Sequence, residues 1–381
     1  MKNYLILLYT TMFYGLTSCE TTLPVEIPES NKWGITLNAV ASPDTTFYAY
    51  VTRCYPNTEA PEYSYPTGWY EDVYFERNPY KHFYAGYILD SLSMEKANYK
   101  IRKEAALADA KVEVTVNEEV TYPMTYDEKQ LCFVSDYTPA IGDRLEVKVN
   151  SASGEQTVAR TEIPKPQQLE VLDMKLETRQ PEKWMSFGRY KGHIKMKLRL
   201  HDPADEKNFY RLKVRGVEFL WDSSYSVTDA YRSIDPIFKD ERLTSEWGAW
   251  DAYFSDVFDD KLIDGKTYEF EIETYVCGVY YNEWMPTYEV SLQSITEDYY
   301  HYLKSLQLYR ISTLSTYSEG VYIHTNNEGG WGILGGISGE AHRVKIPDEW
   351  WVPIVPYKSE PHADLSHAVS SRQKTFIPSI L

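Results

Sequence analysis

Cysteine is scarce, with four in 381 residues: Cys19, Cys54, Cys132 and Cys277. None stands in a Cys-x-x-Cys pair or beside histidines at metal-ligand spacing, so a zinc ribbon or a dithiol redox centre has no framework here. A Cys54–Cys132 disulfide is allowed if both lie in one domain, and nothing in the sequence places them within bridging distance. Basic charge is also short: 39 Lys plus Arg stand against 56 Asp plus Glu, a formal net charge of −17. Tracking a phosphate backbone needs clustered basic side chains, so nucleic acid is excluded as the partner. No apolar run reaches the ~20 residues of a spanning helix. His-Glu-x-x-His and Gly-x-Ser-x-Gly do not occur, and with them go the linear signatures of zinc proteases and α/β-hydrolases. No catalytic residue, metal ligand or cofactor site is expected.

Tyrosine is abundant by contrast, 34 residues against 13 Phe and 10 Trp. Tyr favours strands and carries a polar tip on a large apolar body, which suits both a β protein and a recognition surface. The first 18 residues have Lys2 at the front, an apolar run from Tyr4 to Tyr9 and small residues before Cys19. That order reads as a secretory signal peptide. Leu16-Thr17-Ser18-Cys19 resembles the lipobox of bacterial prolipoproteins. The resemblance implies cleavage before Cys19 and acylation, palmitate included, of that residue. Several chains at about 0.8 kcal/mol per buried methylene make a durable anchor. Residues 19–32 are polar and contain prolines, as a tether requires.

Period-two patterns follow. Val112, Val114 and Val116 alternate with Lys111, Glu113 and Thr115. Leu145, Val147 and Val149 repeat the pattern, as do Ile194, Met196, Leu198 and Leu200, and then Tyr268, Phe270 and Ile272. Such alternation marks antiparallel strands with one wet face. Turns are expected at Gly142-Asp143, Ser153-Gly154 and Asp264-Gly265. Without intervening helical periods the pattern predicts an all-β chain: two immunoglobulin-like sandwiches in tandem. Ile163-Pro164-Lys165-Pro166-Gln167 interrupts the ladder. The expected domains are residues 33–162 and 167–356, with a flexible tail over 357–381.

One helix is expected on the second sandwich. Ser294-Ile295-Thr296-Glu297 fits a capping box with Ser294 as N-cap. Ile295, Tyr299, Tyr302, Leu303, Leu306 and Tyr309 then fall on the packed side, and Glu297, Asp298, His301 and Lys304 on the wet side.

Between Tyr55 and Tyr87 aromatics crowd among prolines. They either pin a loop onto the first sandwich or form a ligand surface, and Trp69, Tyr70, Tyr74 and Tyr84 are the candidate binding residues. The glycine-rich run Gly329–Gly339 lacks the Gly-Lys-Ser/Thr of a phosphate loop. A bent strand passing close to another backbone explains it better. His201–Tyr210 lacks the spacing of a calcium loop and reads as a turn opened by Asp202-Pro203. Asp256 and Asp259 would serve a surface-polymer hydrolase only if placed at glycosidase separations. A structural or adhesive spacer is the third reading.

Cys19 is followed by Ile35–Asp44, ADAKVEVTV, ARTEIPKPQQLEVLDM, LHDPADEKNFYRLKV, FSDVFDDKLIDGKTYEFEI, VSLQSITEDYYHYLKSL and HTNNEGGWGILGGIS. Their order resembles the domain of unknown function 4249 family of outer-membrane lipoproteins. The Tyr299–Leu303 segment and the Asn-x-x-Gly-Gly-x-Gly run are its most specific parts. The resemblance implies a lipid-anchored outer-membrane protein that works with a TonB-dependent receptor, and it transfers no catalytic residue.

Overall fold

A strand with one apolar face must stack that face on another sheet, and the computed structural model holds two such stacks. It describes residues 34–54, 103–179, 191–219, 225–229, 231–243, 254–276, 287–312 and 321–345. The first stack uses β1 (Gly34–Ala41), β2 (Tyr48–Cys54), β3 (Lys111–Val116), β4 (Val120–Pro123), β5 (Thr125–Asp127), β6 (Cys132–Val134), β7 (Arg144–Asn150) and β8 (Gln156–Glu162). The second begins with β9 (Leu169–Arg179), β10 (Lys191–His201), β11 (Phe209–Phe219), β12 (Tyr225–Asp229) and β13 (Tyr231–Arg232). It continues through β14 (Val257–Asp259), β15 (Thr267–Val276) and β16 (Thr287–Ile295). Among the described residues one long helix, α1 (Glu297–Ser312), precedes β17 (Asn327–Glu328) and β18 (Trp331–Lys345).

The chain is all-β and sandwich-built. One sheet runs β17-β8-β7-β3-β4 and another β13-β15-β10-β9. A nine-stranded sheet, β12-β11-β16-β18-β1-β2-β6-β5 with β14 beside β11, provides the facing wall for both. The predicted alternation is the burial pattern. Val112, Val114, Leu145, Val147 and Val149 pack against Leu37, Phe47 and Val51 in the first core. Ile194, Met196, Leu198, Phe270 and Ile272 pack against Tyr210, Leu212 and Val290 in the second. Each such side chain contributes about 1.5–3 kcal/mol by leaving water. The three expected turns are present, and Gly142, Gly154 and Gly265 all have positive φ.

β18 joins the two stacks. Its first residues pair in parallel with β1, from Thr36↔Trp331 to Ala41↔Gly336. Its later residues pair antiparallel with β16, from Ile295↔Ile337 to Thr287↔Lys345. Changing partner midway requires close backbone approach, as the glycine run predicts. A Cβ at Gly336 would lie 2.0 Å from the Glu162 carbonyl oxygen, and one at Gly332, whose φ is +97°, 2.2 Å from that of Leu37.

Three sequence expectations about the helix need correction. It starts at Glu297, so Ser294 is not its cap. Ser294 lies in β16 opposite Ser338, because the strand ladder extends past the point where local grammar would end it. Thr296 precedes the helix instead, and its hydroxyl accepts the Gly336 N–H at 3.2 Å. Lys304 is not on the wet side: it is buried and lies 3.2 Å from Asp240. Tyr309, expected to pack, is exposed.

Cys54 and Cys132 are not bridged. β2 and β6 pair with Tyr48 opposite Val134, a register that sets Cys132 across from Tyr50. Cys54 therefore sits about 13 Å further along β2. Residues 1–33, with Cys19, and the candidates Trp69, Tyr70, Tyr74 and Tyr84 lie outside the described residues, as do Cys277 and the expected tail.

A candidate binding cleft beside the helix

The helix is fastened by one face. Tyr299 and Leu303 pack with Ile295, Ile333, Val257 and Phe209. Helical spacing then turns Tyr300, His301, Lys304 and Leu308 to a neighbouring face. That face, the β10–β11 loop and the segment around Val321–His324 enclose a cleft of about 480 Å³. The volume lies in the range of small-molecule sites, about 300–1,000 Å³.

Rings form one wall. Phe209 and Tyr300 have centroids 4.8 Å apart. Tyr300 meets His301 edge-on at 5.2 Å, and His301 meets His324 at 5.5 Å. Burial, reinforced by the charges of Asp259 and Asp240, pushes the Tyr300 hydroxyl up to about 12. It is therefore a neutral donor at physiological pH. Tyr322 stands at the rim, 67% exposed.

Cations stand among the other lining residues. Lys207, Arg242, Lys261 and Lys304 line the cleft, in a chain whose net charge is −17. Lys207 is paired with Glu297, and Lys261 lies 2.6 Å from Asp259. Arg242 grips Asp240 through Nε at 2.9 Å and Nη2 at 2.8 Å, and the Lys304 amine shares that carboxylate at 3.2 Å. Burial alone would raise the Asp240 carboxyl, but the Arg242 hydrogen bonds and the Lys304 charge hold it well below the usual range. Burial pushes the Lys304 amine down, and Asp240 only partly offsets this. Of the carboxylates paired with these cations, Asp259 alone lines the cleft among the described residues.

The acidic residues flagged in the sequence are engaged in holding the fold. Asp256 binds Arg211 Nε at 2.8 Å and the Gln307 amide at 2.5 Å. Asp259 holds Lys261. Asp202 does more than open a turn, since it accepts the buried Tyr210 hydroxyl at 2.5 Å and the Gly265 N–H at 3.0 Å. Burial raises the Asp202 carboxyl in spite of these bonds. Asp260 accepts the Asn208 N–H. The structure thus brings Asp259 to the cleft and leaves Asp256 beneath the helix. Sequence reasoning missed Lys207, Phe209, Arg242 and the ring pair at Tyr300 and His301. Lys207, Phe209, Tyr300 and His301 fall in motifs quoted for another reason, and Arg242 falls in none.

Comparison with known families decides the relationship: residues 20–343 fit the Domain of unknown function (DUF4249). The chain belongs to this family. No curated protein matches it. The matched span of the domain of unknown function 4249 family contains every residue that lines the cleft. Of the two segments singled out for the resemblance, Tyr299–Leu303 supplies Tyr300 and His301 to the cleft wall. The asparagine-glycine segment builds the fold. The Asn326 side chain donates to the Leu334 carbonyl and accepts the Leu334 N–H, both at 2.9 Å. Asn327 donates to the Leu37 carbonyl at 2.9 Å.

Proposed function

We propose that this protein is a lipid-anchored outer-membrane binding and accessory module, tethered through Cys19, that captures a ligand beside a TonB-dependent receptor. The cleft carries the reading. It has the volume of a ligand site, aromatic walls and a lining of cations, while the nearby carboxylates are committed to ion pairs. A hydrolase would need two carboxyl groups disposed about a scissile bond, and Asp256 and Asp259 are instead held by Arg211 and Lys261. A spacer would need no such cleft. Trp69, Tyr70, Tyr74 and Tyr84 extend the proposal as a second aromatic contact, to the ligand or to the receptor. Anchoring by acyl chains is compatible with the described helix, which is not long and apolar enough to cross a membrane.

The test uses native membranes. Wild-type chain should carry a palmitate label and fractionate with the outer membrane, and Cys19→Ala should lose both properties. Affinity capture of the wild-type chain should recover a receptor barrel in stoichiometric amount. An unlabelled chain, or capture no richer than a mock preparation, would overturn the reading.

A further inference from the structure

We infer that the cleft beside α1 takes a small ligand with a ring body and a carboxylate or phosphate group. The inference rests on reading the chain as a binding module and names the chemistry of what it binds.

The charge balance within the cleft is uneven. Lys207 has Glu297, and Lys261 has Asp259. Among the described residues, Arg242 and Lys304 share Asp240, so this triad carries one more positive charge than negative. The buried member of the triad is Lys304, whose side chain is 9% exposed, while that of Arg242 is 61% exposed. A buried charge that is not fully paired costs free energy. An anion entering the cleft would balance Arg242 and Lys304 together. Charge-assisted hydrogen bonds of this kind are about twice as strong as neutral ones.

The body of the ligand is set by the rings. Buried Phe209 backs the partly exposed Tyr300 ring, and Lys304 lies 5.7 Å from the Tyr300 ring centre. The cationic end is therefore next to an aromatic face. Tyr322 projects at the opening and meets the Trp331 ring at 6.4 Å. A planar ring laid on this wall places an attached anion within reach of Lys304. Inorganic phosphate satisfies only the charge, and a neutral ring satisfies only the wall.

The experiment titrates the full chain, solubilised in detergent, with phenyl phosphate, benzoate, phenol and inorganic phosphate, followed by saturation-transfer NMR. Phenyl phosphate or benzoate should bind with Kd below about 1 mM. Phenol and inorganic phosphate should each bind about tenfold more weakly, the cost of losing a charge-assisted contact or the stacked ring. The stronger of the two ring anions identifies phosphate or carboxylate as the preferred group. Lys304→Met should weaken the ring anions about tenfold and leave phenol unchanged. Because Lys304 also serves Asp240, Tyr322→Ala provides a variant at an exposed position. It should weaken phenyl phosphate and leave inorganic phosphate unchanged. Equal binding of phenol and phenyl phosphate, no binding by any probe, or unchanged affinities in both variants would overturn the inference. A chain that fails to reach the outer membrane or to recover a receptor would leave these titrations intact, so the two readings fail separately.

Discussion

The two stacks solve the same packing problem with different materials. The first core is mainly aliphatic: Leu37, Val51, Val112, Val114, Val147 and Val149, with Phe47 and Phe133 as its fully buried rings. Among the described residues its buried polar groups are uncharged: Ser42, Ser135, Thr157 and Asn327. The second core is ring-rich. Phe238 alone lies within 6 Å, centre to centre, of Phe254, Phe258 and Phe270. Buried Asp202, Asp240, Asp260 and Lys304 all belong to this half. Buried charge is expensive unless paired, and the half that carries it is also the half with the cleft. The second core thus keeps charged groups out of water beside the cleft, where the first core buries none among the described residues.

The sharpest test of that contrast is to truncate one side chain in each core. Phe238→Ala should cost about 3–5 kcal/mol, as for buried aromatic truncations. Val147→Ala should cost about 2 kcal/mol, the transfer of its two methyl groups with a small cavity term. Urea unfolding of both variants measures the gap, and equal losses would erase the distinction between the cores.

Asp240→Asn leaves Arg242 and Lys304 without their carboxylate and should cost about 3 kcal/mol at pH 7. The sign of its pH dependence follows from a carboxyl held below its ordinary value of 3.8. Such a group stabilises the fold fully above 3.8 and loses that contribution as pH falls through its native-state value. The gap between wild type and variant should therefore narrow when unfolding is repeated near pH 3. A gap independent of pH would remove Asp240 from the account.

Tyr210→Phe deletes the hydroxyl that bonds Asp202 and leaves that buried carboxyl with the Gly265 N–H, at a cost of about 2 kcal/mol. Burial raises this carboxyl, so its ionisation opposes folding as pH rises, the reverse of Asp240. The Tyr210→Phe penalty should accordingly grow between pH 4 and pH 7 in the same assay. The smallest effect belongs to the surface. Lys207→Ala removes an exposed pair with Glu297 and should change stability by less than about 1 kcal/mol, which thermal unfolding can bound.

Much of this architecture is legible in the chain. Val112, Val114 and Val116 declare a strand and its buried face without help from the fold, because side chains of a strand alternate by geometry. Glycines 332 and 336 announce close backbone contact. The helix after Ile295 is readable, but its cap is not. Ser294 and Glu297 have the right spacing, yet pairing of Ser294 with Ser338 holds that residue in a strand. Lys304 is misread for the same kind of reason. A lysine among charged residues reads as solvated until Asp240, more than sixty positions earlier, is brought beneath it.

Local order along the chain was enough to set the β class, the faces of the strands, the turns and the position of the helix after Ile295. These depend on neighbours within a few residues, where backbone geometry alone sets the period. It took the assembled fold to make β18 join the two halves of the nine-stranded sheet, and to gather Lys207, Arg242, Lys261 and Lys304 into a cleft with Phe209 and Tyr300. Those groups come from separate stretches of chain, and no local rule relates their positions. Burial and charge act on them only once the sheets have met.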